Sequence, residues 1–184
     1  MHDALPRPAA PRLLWISRSV RALALGGAVG VLTFAAAFWS SPQWVQRVAL
    51  SQWKLPAGSL QTDALSRFLA ALGSAPGFAL ALWVLWQVWA LFGWYGRGEI
   101  FHPRAIHHLR RFGQAVTALA PVMVLSDTLT VLGLTWFNPP GKRQLMVQIG
   151  SEHYLQLMVG LVLLAIAQVM LEAQRMAQEN AEFV

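Results

Sequence analysis

Four apolar stretches constrain this chain more than any other feature of its sequence. Crossing the hydrocarbon core of a bilayer takes about 20 mostly apolar residues, and only a helix satisfies its own backbone amides there. Of the whole chain, 56% is hydrophobic and 12% is charged, which is unusual for a soluble domain. The sequence therefore predicts an all-α membrane protein with four transmembrane helices. The stretches are Val20–Trp39, Phe78–Tyr95, Ala115–Phe137 and Tyr154–Leu171.

The basic residues lie in the connections, where they predict orientation. Nine of the 14 Lys and Arg residues precede the first stretch or lie at its very beginning, separate the second from the third, or follow the fourth; the other five lie on the opposite side. Cytoplasmic loops carry the excess of Lys and Arg, so both termini are predicted to be cytoplasmic. The net charge of +6 is interpreted as this topology signal, and no direct binding of nucleic acid is expected.

The predicted organisation has three parts. A proline-rich cytoplasmic leader covers residues 1–17, a transmembrane domain covers 18–171, and a cytoplasmic tail covers 172–184. A cleaved signal peptide is the main alternative for the first stretch, because Ala35–Ala37 could form a small-residue cleavage site. A retained anchor is favoured, because the apolar run continues to Trp39.

Shorter segments carry local signals. Val45–Leu50 predicts a short surface helix, and Gly73–Gly77, which includes a proline, predicts a kink or break in the second long helix. Asn138–Arg143 has the composition of a turn. Gly26 and Gly30 are four residues apart, a spacing that lets membrane helices approach closely.

The connection between the second and third stretches predicts a turn followed by a short interfacial helix. Gly98 suits the turn, and Pro103 suits a first helical position. Ile106, Leu109 and Phe112 then recur every three residues, while basic residues are left to reach headgroups. Candidate contacts with headgroups or a partner here are Arg97, Arg104, His107, His108, Arg110 and Arg111.

Asp127 is the one ionisable residue deep within a predicted span. A carboxylate near the bilayer centre costs on the order of 3 kcal/mol on insertion scales, so it faces protein, pairs or is protonated. No cation lies at comparable depth in another span, and Gln87 is the nearest polar candidate. Asp127 and Gln87 are therefore the intramembrane site candidates, with a structural role for Asp127 as the alternative to a functional one.

The remaining chemistry is sparse. The chain has no cysteine, and His102, His107 and His108 have neither helical metal-ligand spacing nor neighbouring thiols and carboxylates. No nucleophile motif, phosphate-binding loop or carboxylate pair occurs. The sequence predicts no metal site, no cofactor, no catalytic residue and no enzyme activity.

Two motifs support a resemblance. Gly98-Glu-Ile-Phe-His-Pro103 and Leu109-Arg-Arg-Phe-Gly113 resemble the signature between spans two and three of a bacterial four-span inner-membrane family designated domain of unknown function 2975. Near the C-terminus Gln178, Glu179 and Asn180 match that family's Gln-Glu-Asn ending, whereas the following residues 181–183 depart from it. The resemblance implies location in the bacterial cytoplasmic membrane and a small helix-turn-helix regulator as partner.

The preferred interpretation is a non-catalytic regulatory, sensory or interaction component that works with a cytoplasmic partner. Its expected contact segments are the basic connection and the C-terminal tail, including Gln178, Glu179 and Asn180. The alternative is a small transporter or channel, or an accessory subunit of a membrane complex, centred on Asp127. A homo-oligomer or a larger membrane complex remains open in either case.

Overall fold

A computed structural model describes residues 11–53, 55–56, 60, 62–139 and 141–182. This part of the chain contains five α-helices and no strand, which confirms the predicted all-α class. The predicted leader lies mostly outside the described residues, apart from its last residues, which belong to the first helix. The helices are α1 (Pro11–Ser40), α2 (Pro42–Ser51), α3 (Ala64–Tyr95), α4 (Pro103–Thr135) and α5 (Ser151–Glu182).

The four long helices are the predicted spans. Each is long and apolar enough to cross a membrane, by length and composition, and each extends beyond the apolar stretch that predicted it. The tail therefore continues α5 as far as Glu182. Residues 103–112 are the first part of α4 rather than a separate element. The location of this segment at a membrane interface stays a prediction, as does the position of the termini.

The predicted surface helix exists and is longer than predicted. Ser41 caps α2, its hydroxyl accepting from the backbone N–H of Trp44 at 3.4 Å, and Pro42 occupies the first helical position. Both residues commonly begin a helix. A serine cap accepts from a backbone N–H that has no partner within the helix, and proline at the first position has no N–H to leave unpaired. Val45 and Ala49, four residues apart on one face, are fully buried.

The chain forms two compact units. The first comprises the residues up to 28, 83–117 and those from 155 onwards; the second comprises 29–82 and 118–154. In the first unit, the buried core consists of Leu91, Ala105, Leu109 and Ala167. In the second unit, the buried core consists of Phe38, Val45, Ala49, Leu55, Ala70, Val131 and Leu134.

In the second unit, α3 and α4 approach at glycines. A Cβ atom on Gly73 would lie 2.7 Å from the carbonyl carbon of Leu129, and one on Gly133 would lie 2.6 Å from the backbone nitrogen of Ala70. Small residues that allow such an approach are the usual means of packing membrane helices. Of the kink or break predicted at the glycine–proline segment, the break does not occur, because the helix is continuous through Pro76.

The end of α1 in this unit is held by a cation from α3. Nη1 of Arg67 donates to the carbonyl oxygens of Trp39 at 2.9 Å and Ser40 at 3.3 Å. The last carbonyls of a helix have no acceptor role within it, and a positive charge there is favoured by the helix dipole. Arg67 thus joins the C-terminal end of α1 to the first turn of α3.

The segment between α4 and α5 begins with the predicted turn and is then non-helical. Gly141 has a positive φ of 85°, a value that glycine adopts readily. Two threonines of α4 hold the following residues: the hydroxyl oxygen of Thr128 lies 2.9 Å from the carbonyl oxygen of Met146, and the hydroxyl of Thr135 accepts from the N–H of Gln144 at 3.2 Å.

The close approach of α3 and α4 predicts a large difference between two glycine positions. Gly133→Ala should lower the free energy of unfolding by about 1–3 kcal/mol, because the added methyl group overlaps the backbone of Ala70 and forces the helices apart. The measurement is reversible unfolding of the purified protein in detergent.

Gly26→Ala is the matched control, since nothing lies within 4 Å of the added Cβ atom. It should leave stability unchanged or raise it by about 0.4–1 kcal/mol, because alanine restricts the unfolded chain. Equal destabilisation by both substitutions would contradict the close approach of α3 and α4.

Candidate functional site

Gln87 has a buried partner that the sequence did not reveal. Its side chain is 1% exposed, and its Oε1 lies 2.8 Å from Nδ1 of His108. With the amide oxygen facing the ring, Nδ1 carries the proton and donates. Such a bond satisfies a polar group that would otherwise be costly to bury. His108, predicted to contact headgroups or a partner, therefore directs its ring into the first unit.

Asp127 lies in the second unit and is half-buried. Its electrostatic neighbours are His153 and Glu152, at the beginning of α5. The sequence offered no partner for Asp127 within the spans, because His153 lay outside the predicted fourth span. His153 is itself buried, and its Nδ1 accepts from the backbone N–H of Gly150 at 3.1 Å. The structure thus gives Asp127 a histidine neighbour.

The two predicted intramembrane candidates do not share partners. Gln87 belongs to the first unit with His108, and Asp127 belongs to the second with His153. The sequence predicts both residues as intramembrane site candidates. The structure places them in two separate polar pairs, the hydrogen-bonded Gln87 and His108 and the electrostatic neighbours Asp127 and His153. Among the described residues no ion pair within 4.0 Å joins Asp127 to His153, whose ring nitrogen Nδ1 lies 3.5 Å from a carboxylate oxygen of Glu152.

Two hydroxyl residues beside Asp127 were missed as structural contacts. Ser126 is 3% exposed and Thr130 is 2% exposed. The hydroxyl of Ser126 accepts from the backbone N–H of Gly77 at 3.0 Å, next to Pro76, which has no N–H of its own. Thr130 donates to the carbonyl of Ser126 at 2.7 Å. The hydroxyl of Ser126 thus gives the N–H of Gly77 a partner beside the proline that interrupts the helical ladder, whereas the bond of Thr130 lies within α4.

The basic residues predicted at the beginning of α4 form an exposed surface. His107, Arg110 and Arg111 are exposed, as are Arg97 and Arg104. None of these arginines has an acidic partner within 4.0 Å among the described residues, where the three ion pairs involve His102, His153 and Arg175. We call Arg97, Arg104, His107, Arg110 and Arg111 the basic surface.

Trp94 organises one side of the basic surface. The guanidinium carbon of Arg97 lies 5.0 Å from the centroid of its ring, and that of Arg104 lies 5.8 Å from it. The ring of His102 stacks on Trp94 at 4.4 Å with an interplanar angle of 10°. Contacts of cations with an aromatic face are attractive. They hold two arginines of the surface near the turn at Gly98, where φ is 79°.

The predicted contact residues of the tail lie on the last part of α5. Gln178, Glu179 and Asn180 are exposed. Glu179 accepts from Nε of Arg175, four residues earlier, at 2.9 Å. An exposed pair with this spacing adds little stability. Of the three predicted contact residues, Glu179 is paired with Arg175, and Gln178 and Asn180 are the uncharged polar candidates.

A groove between α4 and α5 was not predicted. It lies within the first unit and has a volume of about 390 Å³. Its residues recur at helical spacing on both helices, as a cleft between two packed helices requires. The lining residues are Pro103, Ile106, His107, Arg110 and Gln114 of α4, and Leu164, Ala167, Gln168, Leu171 and Gln174 of α5. We call this cleft the α4–α5 groove.

Comparison with protein families identifies a match over nearly the whole chain. The family described as "protein of unknown function (DUF2975)" matches residues 4–184. The chain belongs to the DUF2975 family. The match covers both polar pairs, the basic surface and the described tail, and it confirms the resemblance that the turn and the beginning of α4 indicated. No curated protein and no solved structure matches the chain.

The Gln87–His108 pair predicts a non-additive effect of mutation. Gln87→Leu should destabilise the protein by about 1–3 kcal/mol, because the donor of His108 is left without its acceptor in a buried place. His108→Leu should have a similar cost. Unfolding in detergent measures both.

The double variant Gln87→Leu/His108→Leu should be less destabilised than the sum of the single variants, because neither polar group then remains unpaired. Strictly additive effects would contradict a hydrogen bond between the two side chains.

Proposed function

We propose that this DUF2975 protein is a non-catalytic regulatory or interaction component of the bacterial cytoplasmic membrane, with both termini in the cytoplasm, and that its basic surface binds a soluble partner. The observation that carries the proposal is the group of exposed arginines without acidic partners at the beginning of α4. A charged surface of one sign favours a partner of the opposite sign, by speeding encounter and fixing orientation.

The inner polar groups support the same choice. Gln87 is engaged by His108, and Ser126 by the backbone of Gly77. Polar side chains that bond one another connect helices and need no ligand. The described residues also include no group of three or more His, Cys, Asp or Glu that could hold a metal ion. The exposed charges are therefore the better starting point for function.

The partner proposed first is a small helix-turn-helix regulator with an acidic contact surface. The chain's resemblance to its family implies such a regulator, and the basic surface supplies the complementary charge. Membrane attachment would then hold the regulator away from DNA or signal to it. The protein itself needs no contact with nucleic acid in this arrangement.

Partner capture tests the proposal. Arg104→Glu/Arg111→Glu should reduce the recovery of a crosslinked cytoplasmic partner about tenfold or more, because two attractive charges become repulsive. The two residues are seven apart and therefore lie on one side of α4. The measurement is crosslinking in native membranes, affinity capture and quantitative mass spectrometry.

Arg47→Glu, on the exposed part of α2, is the matched control, since the proposed topology puts it across the membrane from the basic surface. It should leave recovery unchanged. Normal recovery from correctly inserted Arg104→Glu/Arg111→Glu would remove the basic surface from the proposal.

The proposed orientation has its own test, which the absence of cysteine makes clean. A cysteine at Arg47 should react with a membrane-impermeant maleimide in intact spheroplasts. A cysteine at Gln178 should react only after the membrane is opened. The reverse labelling pattern would overturn the orientation.

A second candidate function rests on the Asp127–His153 neighbourhood. A carboxylate and an imidazole near one another within a membrane protein are groups that can exchange a proton, and intramembrane ionisable residues are frequent in transport sites. We propose transport, or an accessory role in a membrane complex, as the alternative.

Asp127→Asn separates this alternative from a structural role. It keeps the size of the side chain and removes its charge, so an ion- or proton-dependent uptake signal in proteoliposomes should disappear while insertion and thermal stability stay near those of the wild type. Loss of stability without any prior uptake signal would mark Asp127 as structural.

A further inference from the structure

The α4–α5 groove combines cationic, amide and apolar groups in one cleft. Arg110 supplies a positive charge, the ring of His107 lines the cleft from the same helix, and Gln114 and Gln168 line it from opposite helices. The apolar lining residues are Pro103, Ile106, Leu164, Ala167 and Leu171, and no lining residue is acidic. Its volume of about 390 Å³ lies in the range of small-molecule sites.

The two glutamines are the informative residues. Both are exposed and belong to helices able to cross a membrane. Neither forms a hydrogen bond with the described residues, in contrast to Gln87, whose amide bonds His108 at 2.8 Å. An amide near hydrocarbon is costly unless something accepts its N–H groups. The side-chain N–H groups of Gln114 and Gln168 are therefore available to an acceptor from outside the chain.

We propose that the α4–α5 groove binds the headgroup phosphate of an anionic phospholipid. Arg110 forms the charge-assisted hydrogen bonds to the phosphate oxygens, and the ring of His107 lies on the same side of the cleft. The amides of Gln114 and Gln168 donate to the phosphate or to the ester oxygens below it. Ile106, Leu164 and Leu171 contact the beginning of the acyl chains.

The mixed lining favours a lipid over a soluble anion. A free phosphate ion would leave the apolar residues of the cleft without a partner, whereas a phospholipid places polar and apolar groups together in one molecule. Basic clefts between membrane helices are suited to anionic headgroups. Both helices that line the groove are long and apolar enough to cross a membrane, so the proposal places the lipid within reach of the groove from the bilayer.

The test uses the full-length protein, purified in detergent and depleted of lipid, with phosphatidylglycerol and phosphatidylcholine as probes in native mass spectrometry. The wild type should retain phosphatidylglycerol in preference to phosphatidylcholine. Arg110→Gln should weaken phosphatidylglycerol binding about tenfold, because a charge-assisted hydrogen bond is lost. Gln114→Leu/Gln168→Leu should also weaken it.

Arg111→Gln is the matched control. It removes the same charge from the neighbouring exposed position but does not line the groove, so it should change phosphatidylglycerol binding less than twofold. Thermal unfolding without lipid checks each fold. If the double glutamine variant does not fold, the comparison of Arg110→Gln with Arg111→Gln, both at exposed positions, decides the result.

Three outcomes would overturn the proposal. Equal retention of the two lipids would show that no anionic headgroup is recognised. Equal losses in Arg110→Gln and Arg111→Gln would assign the effect to surface charge in general. Full competition by millimolar inorganic phosphate would assign the groove to a soluble anion. The partner-capture variant leaves every groove residue unchanged, so failure of either proposal can be recognised without the other.

Discussion

The close contact of helix backbones at small residues is the constraint on which the rest of the second unit depends. Lipid tails are as apolar as leucine, so association of membrane helices gains little from the hydrophobic effect and depends on packing and hydrogen bonds. Gly73 and Gly133 let α3 and α4 approach to backbone distance. Only at that distance do Ser126 and Thr130 reach α3, where Ser126 accepts from the N–H of Gly77.

Contact of another kind organises the first unit. The guanidinium of Arg21 lies 4.3 Å from the ring centroid of Trp89, and the hydroxyl of Ser17 donates to the carbonyl of Phe92. With the bond between Gln87 and His108, polar groups of other helices contact α3 at three of its residues: Gln87, Trp89 and Phe92. An interior joined in this way leaves its charges on the outer faces, where Arg110 and Arg111 are available to ligands.

The sequence predicted the elements well because they follow from local composition. The four apolar stretches correspond to four long helices. The predicted short helix corresponds to α2, which buries Val45 and Ala49 on one face. Orientation was predicted from the placement of the basic residues alone. The way α3 accommodates Pro76 was not predictable from residues 73–77, because the hydroxyl that bonds the N–H of Gly77 belongs to Ser126, 49 positions away along the chain.

The site was harder to predict, because its parts meet through tertiary packing. The basic surface followed from sequence, since its residues are close together in the chain, in the turn after α3 and at the beginning of α4. Gln87 was predicted as a polar candidate, but its bond to His108 was not. His108 was predicted to contact headgroups or a partner. Asp127 was recognised but not its neighbour His153. The α4–α5 groove was not predicted, because it depends on how α4 and α5 are aligned with one another, and the periodicity of a sequence does not specify that alignment.

The threonines that hold the segment after α4 have a consequence for how this chain can change. Thr128 and Thr135 contact Met146 and Gln144 through one hydroxyl each, and neither contact uses a backbone group of the helix. Valine has nearly the same shape without the hydroxyl. Replacement of both threonines by valine can therefore release the connecting segment without altering the helix beneath it. This segment can thus change during evolution independently of the membrane helices.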